Sequence, residues 1–270
     1  MSDQKQVKMG VCVAVASSGR PVPIEWAMSI ATLAYPVGQN HCWQISKADP
    51  DSRQLTRDAQ RETLTDRAIA LGADYLIFFD DDTVPPPHAI RSLWYVLEQN
   101  SKAAIAGGIY CSKENAEPDP KPAPLVFMEL GGGSFWNWTL GDIFKCKGIG
   151  TGCMMIRLAA LKDIPKPWFK DTLTNERQGR QKVGDLELEV VDASGTDDLF
   201  FCRRVTEAGW DILAHGGVLC IHIGQDGKQY VLPDDSYPVV SYLKKRAEFD
   251  AGIGADPKNP DKIVSELVEK

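Results

Sequence analysis

Asp80, Asp81 and Asp82 stand in a row between the apolar run Tyr75 to Phe79 and the segment Thr83-Val84-Pro85-Pro86-Pro87. Three adjacent carboxylates favour a nearby cation, because each one makes ionisation of its neighbours harder. In an extended chain, side chains two residues apart point the same way, so Asp80 and Asp82 form the useful pair and Asp81 points away. Positive charge lies upstream, where Arg53, Arg57 and Arg61 recur at every fourth residue and so share one stripe of a helix. Such a stripe is a solvated basic face, or it presents an arginine such as Arg57 to a diphosphate or to the nearby acids. A third stretch, Lys147-Gly148-Ile149-Gly150-Thr151-Gly152, supplies glycines that let backbone amides come close to a ligand.

Groups of this kind need strands that end where the groups begin. Tyr75 to Phe79 is apolar without alternation, the pattern of a strand buried on both faces of a mostly parallel sheet. Open α/β sheets bind ligands at the carboxyl ends of such strands. Val7 to Ala16 reads as a first strand, which makes Ser17-Ser18-Gly19-Arg20-Pro21 a ligand-facing loop with Arg20 as its charged member. A helix follows over Ile24 to Leu33 and a strand around His41 to Ile45. The next helix is capped within Asp49 to Ser52, carries Leu55, Ala59, Ala68 and Leu71 on one face, and is closed by Gly72. Beyond the acids, a helix over His88 to Gln99 leads to a strand over Ala103 to Tyr110.

Leu125 to Leu130 and Phe135 to Leu140 read as a hairpin across Gly131-Gly132-Gly133. Its aromatics Phe135, Trp136 and Trp138 are either core or an apolar platform for a sugar. An apolar strand follows Gly152, and the charged, irregular stretch Lys166 to Gly195 is a candidate loop over a site. Asp197 and Asp198 open a helix that stops at Gly209, a placement that the helix dipole favours for acids. Val218 to Gly224 is a late apolar strand carrying His222; a lone His in such a run is ordinarily a satisfied core residue.

In this order the pieces resemble the GT-A fold nucleotide-sugar glycosyltransferases, particularly the soluble enzymes of glycosyltransferase family 2. The resemblance runs from about Val7 to Gly224. Asp80-Asp81-Asp82 is similar to that family's strand-borne D-x-D, and Thr56-Arg57-Asp58 with the lead-in Gly72-Ala73-Asp74-Tyr75 is similar to its Ala-Arg-Asn-like helix. Gly150-Thr151-Gly152-Cys153 is similar to its glycine-rich acceptor-side strand. Asp197-Asp198 with Glu207-Ala208-Gly209 is similar to its Glu-Asp pair ahead of an Ala-Gly helix end, and His222 to its late metal-binding His. Asp197 stands where the family usually has Glu, and Asp58 where it has Asn; neither change removes a required charge.

The resemblance implies an α/β, GT-A (Rossmann-like) fold: a mostly parallel central sheet flanked by helices, with a small antiparallel hairpin element. Residues 1–224 would form one catalytic domain and residues 225–270 a polar, helical extension packed on or beside it. It implies a metal-dependent transferase that moves a sugar from a nucleoside-diphosphate donor, UDP-linked, to an acceptor hydroxyl on a glycan, protein, metabolite or modified base. Asp80, Asp82 and His222 would hold Mn²⁺ or Mg²⁺, the nitrogen tilting the choice towards Mn²⁺. Arg20, Arg57, Asp80, Asp81, Gly150, Thr151 and Gly152 would line the donor. Asp198 would be the base, with Asp197 orienting it or the acceptor, and the outcome would be inversion.

Composition sets limits. The 270 residues carry a net charge of -7, so no global basic field favours nucleic acid. No apolar run approaches the about 20 residues of a membrane span, and Met1 to Gln6 is polar; the expectation is a soluble, cytoplasmic protein. The seven cysteines are odd in number, lack a C-x-x-C pair and have mostly apolar neighbours, which reads as reduced core thiols. Three rival readings remain. A haloacid-dehalogenase-like phosphohydrolase would use Asp80 as nucleophile with Mg²⁺, but its acidic motif opens the first strand and here two strands precede it. A sugar-nucleotide pyrophosphorylase would need a longer glycine-rich loop after strand one. A non-catalytic sugar-nucleotide-binding module would have no need of the intact acids and His222.

Overall fold

Apolar runs form the strands of this protein and amphipathic segments between them form its helices. The computed structural model describes residues 10–47, 56–113, 122–171, 180–183, 186–189 and 196–231. In chain order the elements are β1 (Val11–Ser17), α1 (Ile24–Ala31), β2 (His41–Lys47), α2 (Arg57–Ala70), β3 (Tyr75–Phe79), β4 (Thr83–Val84), α3 (Ala89–Gln99) and β5 (Ala103–Ile109). They continue with β6 (Val126–Phe127), β7 (Ile143–Cys146), β8 (Gly148–Ile149), β9 (Cys153–Arg157), β10 (Arg180–Val183), β11 (Leu186–Glu189), α4 (Asp197–Glu207), β12 (Asp211–Leu219), β13 (Ile221–Ile223) and β14 (Gln229–Tyr230).

Seven strands make the main sheet in the order β2-β1-β3-β9-β5-β12-β7. β1 pairs in parallel with β2 and β3, and β5 with β12. β9 runs antiparallel between β3 and β5, and β7 antiparallel along β12. Both β3 and β5 oppose β9, so β2, β1, β3, β5 and β12 share one direction, and their carboxyl ends share one edge. The fold is therefore a mostly parallel α/β sheet flanked by helices, GT-A-like in architecture.

Alternation along β3 explains its unbroken apolar sequence. Leu76 and Phe78 join a cluster with Leu64 and Ala68 of α2 and Phe201 and Val205 of α4. Ile77 and Phe79 join a second cluster with Ile90, Leu93 and Leu97 of α3. A strand covered on both faces needs apolar residues at every position, and each fully buried large side chain contributes about 1.5–3 kcal/mol. The cysteines follow the same logic: all seven are free thiols and six are buried. Among the described residues no helix is long and apolar enough to cross a membrane.

Three expectations are corrected. The buried face of α2 is Gln60, Arg61, Leu64, Thr65 and Ala68 rather than the Ala59–Leu71 line, and Leu71 is 46% exposed; a charged residue turns inward because carboxylates wait for it. β6 pairs with β8, not with residues 135–140. From the expected hairpin only Phe135 N–H to Val126 O, 2.8 Å, remains, because Phe135 and Trp138 pack against Phe144 instead. Trp138 is thus core, 3% exposed. The late strand is divided: β12 stays in the main sheet with a register shift between His215 and Leu219, and β13 leaves it to pair with β4 and β14. That last pairing carries the β-ladder past Gly224 as far as Tyr230. Residues 232–270, the cap at 49–52, Arg53, Leu55 and most of the stretch 172–195 lie outside the described residues.

Candidate active site

The acidic stretch is a turn, not a strand. Asp80 O accepts from Thr83 N–H at 3.2 Å, which breaks the two-residue alternation and sends each carboxylate to a different partner. Asp80 Oδ1 lies 2.9 Å from Arg61 Nη2. Asp81 Oδ2 accepts from Ser18 N–H at 2.7 Å, Ser18 Oγ at 2.9 Å and Ser17 Oγ at 3.1 Å. Asp81 therefore ties the loop after β1 to the turn and does not simply point away. Asp82 faces Lys113 Nζ, 2.5 Å from Oδ2, and His222 Nε2, 3.4 Å from Oδ1. Helix α1 clamps the turn from outside: Trp26 Nε1–H donates to Asp80 O at 2.8 Å and Ser29 Oγ to Pro85 O at 2.5 Å.

Arg61 joins this turn to the second acidic pair. Its Nη1 lies 2.5 Å from Asp197 Oδ2, and its side chain is only 2% exposed. Asp80, Asp197 and Asp198 together hold the guanidinium protonated against the opposing effect of burial. Asp197 and Asp198 open α4, where the helix dipole favours negative charge. Asp197 is committed to Arg61, whereas Asp198 Oδ1 accepts from Thr196 Oγ1 and from Leu199 N–H. Burial, and then the charge of Asp197, push the Asp198 carboxyl above its ordinary range, with Arg61 opposing.

His222 reaches Asp82 because β13 pairs with β4 in the register His222 to Thr83, and Ile223 N–H donates to Asp82 O at 2.8 Å. His222 Nδ1 is 2.8 Å from Cys111 O. A carbonyl only accepts, so in the neutral ring Nδ1 carries the proton and the lone pair of Nε2 faces Asp82. A ring anchored on one nitrogen and directed with the other towards a carboxylate suits metal ligation. Burial acts to raise the Asp82 carboxyl, but His222, when its Nε2 also carries a proton, and Lys113 outweigh it and lower it to about 2. Among the described residues no three His, Cys, Asp or Glu side chains converge into a complete cage, and Asp80 is turned towards Arg61. Asp82 and His222 could supply two protein ligands to a small divalent ion, an ion type that commonly takes its other ligands from phosphates and water.

Other expected residues take supporting places. Gly150, Thr151 and Gly152 are buried. Gly152 N–H donates to Tyr110 Oη at 3.0 Å, and Gly150 N–H to Leu125 O at 3.1 Å. The close approach that these glycines permit is to Tyr110: a Cβ on Gly150 would stand 2.3 Å from its Oη. Thr151 keeps a buried hydroxyl without a hydrogen-bond partner among the described residues. Arg20 is exposed in the loop after β1, and Arg57 is exposed at the first turn of α2; the arginine seen on the carboxylates is Arg61, four residues on. Sequence reading passed over Lys113 and Tyr110, and it treated Arg61 only as one member of a stripe. For Arg61 the period-four spacing was a signal; for Lys113 there was none.

Residues 68–163 match the family model described as Glycosyl transferase family 2. That span takes in the acidic turn, Lys113 and Gly150–Gly152 and leaves out Arg61, Asp197, Asp198 and His222. The solved structure titled "Crystal Structure of A197 from STIV" superimposes with a TM-score of 0.53 at 15% identity, covering 84% of this chain and 95% of that chain. No curated protein matches. The fold is GT-A-like, and the segment 68–163 within it is similar to glycosyltransferase family 2. That likeness supports glycosyltransferase activity in general.

Proposed function

We propose that the chain transfers a glycosyl group from a nucleoside-diphosphate sugar, UDP-linked, to an acceptor hydroxyl with inversion, aided by a divalent cation, Mn²⁺ in preference to Mg²⁺. The observation that supports this most is Arg61, which gathers Asp80 of the acidic turn and Asp197, the neighbour of Asp198, around one buried guanidinium. A donor-side group and a candidate base are thereby held in fixed relation, as transfer between two substrates requires.

Asp82 and His222 hold the cation, which when bound supplies positive charge to a departing diphosphate. Asp81 fixes Ser17 and Ser18, so the loop bearing Arg20 keeps its shape against the donor. Asp198 takes the acceptor proton; its raised carboxyl gives a stronger base than a surface carboxylate. Asp197 and Arg61 orient that helix end. Asp80 serves here as the partner of Arg61, which differs from the ligand role that its place in a D-x-D suggests. A base acting on the face opposite the leaving group yields inversion.

The test is a thermal-shift panel of nucleoside diphosphates and their sugars with and without Mn²⁺, since a ligand that binds the native state raises the melting temperature. At least one nucleoside diphosphate should raise it in a metal-dependent way, and Asp82→Ala should abolish that dependence. No shift with any of them, or a full shift in Asp82→Ala, rejects the assignment. Once a donor and acceptor are found, NMR of the product decides the stereochemistry; a retained configuration removes Asp198 from the role of base.

A further inference from the structure

We propose that Lys113 is an exchangeable internal cation: it neutralises Asp82 in the ligand-free protein and passes to the donor diphosphate when a divalent ion takes its place. This rests on the reading of Asp82 and His222 as ion-holding groups. The two oxygens of the Asp82 carboxylate are addressed separately, Oδ2 by Lys113 Nζ at 2.5 Å and Oδ1 by His222 Nε2 at 3.4 Å. A divalent ion between Asp82 and His222 would meet the ammonium across a single carboxylate. Two cations at that separation repel, so tight binding of one displaces the other.

The two basic groups of the acidic turn differ in their freedom to move. Arg61 is 2% exposed and forks onto two carboxylates, so it stays. The Lys113 side chain is 34% exposed and its partner 32%, so the pair can part into solvent. The root of Lys113 is fixed: Cys111 bridges to Pro124, Ser112 N–H donates to Ala123 O at 2.8 Å, and Cys111 O holds His222. A compact ammonium on a flexible four-carbon stem, anchored two residues from Cys111, which orients His222, can swing without moving the backbone. A diphosphate arriving with the metal offers the displaced ammonium a new anionic partner. Metal and nucleotide should therefore bind with positive, reciprocal coupling, and metal alone should bind weakly.

The test measures Mn²⁺ binding by electron paramagnetic resonance of the free ion for wild type, Lys113→Met and Asp82→Asn, each with and without UDP or GDP. Lys113→Met should bind Mn²⁺ alone about tenfold more tightly than wild type. Nucleotide should tighten Mn²⁺ binding in both proteins, through phosphates that share the ion, and by about tenfold more in wild type than in Lys113→Met. Equal Mn²⁺ affinity in wild type and Lys113→Met, with binding lost in Asp82→Asn, overturns the exchange and leaves the ion assignment standing. Absence of Mn²⁺ binding in every protein, with or without nucleotide, overturns both. Thermal unfolding confirms that each variant is folded, and Lys113→Gln gives the same comparison with a second uncharged side chain.

Discussion

Arg61 has both terminal nitrogens on carboxylates and almost no contact with solvent. Removing it leaves the buried Asp197 and the partly buried Asp80 without a counter-charge, so Arg61→Met should lose about 3–5 kcal/mol of stability in urea unfolding. Arg61→Lys should recover only part, because one ammonium cannot fork onto two carboxylates. Asp198 has the opposite effect on stability. Its folded carboxyl is raised above the unfolded value by burial and by Asp197. As pH climbs from below the unfolded value through the folded one, the unfolded chain releases its proton first, so stability falls across that window and stays lower at neutral pH. Asp198→Asn should therefore raise the melting temperature at pH 7 while lowering turnover about 10²–10⁴-fold. Full turnover in that variant would take Asp198 out of the mechanism. The sequence showed the arginine stripe but could not say which member turns inward. At 3.6 residues per turn, a step of four advances about 40° around the helix, so Arg57 and Arg61 face different surroundings, and only packing against β1 and β2 fixes the rotation.

At the scale of elements, what was hard to read was where a strand changes sheets. Val218 to Gly224 looks like one apolar strand, yet β12 and β13 part at Cys220, and it is this parting that carries His222 to β4 and Asp82. Apolar pattern records burial and not the neighbour that provides it. β6 and β8, two residues each, are too short to show any period, so the hairpin expected around Gly131 to Gly133 had no pattern to correct it. The glycines before β9 were legible as a close approach, but the approaching group is Tyr110, at the end of β5. A Cβ on Gly152 would lie 2.7 Å from both Thr83 Oγ1 and Tyr110 Cζ. Gly152→Ala should cost about 1–3 kcal/mol of stability and, by displacing Thr83 next to Asp82, should weaken the metal-dependent nucleotide shift. A melting temperature and nucleotide shift equal to those of wild type would show that the contact yields freely.

For the whole molecule, the parallel character of the sheet was legible from β1, β3 and β5, which are apolar at consecutive positions because helices cover both faces. The order β2-β1-β3-β9-β5-β12-β7 was not. Cys153 to Arg157 is equally apolar read in either direction, so nothing local marks β9 as the antiparallel member at the centre. β7 is mostly solvent-facing at the edge and carries little pattern of its own. The site in turn depends on contacts between distant segments, since Arg61 to Asp197 and His222 to Cys111 each join parts of the chain more than 100 residues apart. One such contact, between Trp26 and the carbonyl of Asp80, gives the protein an optical property. An indole hydrogen-bonded to the closing carbonyl of the acidic turn emits according to how that turn is held. Binding of metal and nucleotide should change the intrinsic fluorescence, and Trp26→Phe should remove that change while leaving the emission of the other six tryptophans. A change of equal amplitude in the variant would assign the signal to another indole. Donor affinity then becomes measurable by light alone, with no label, no turnover and no acceptor in the cuvette.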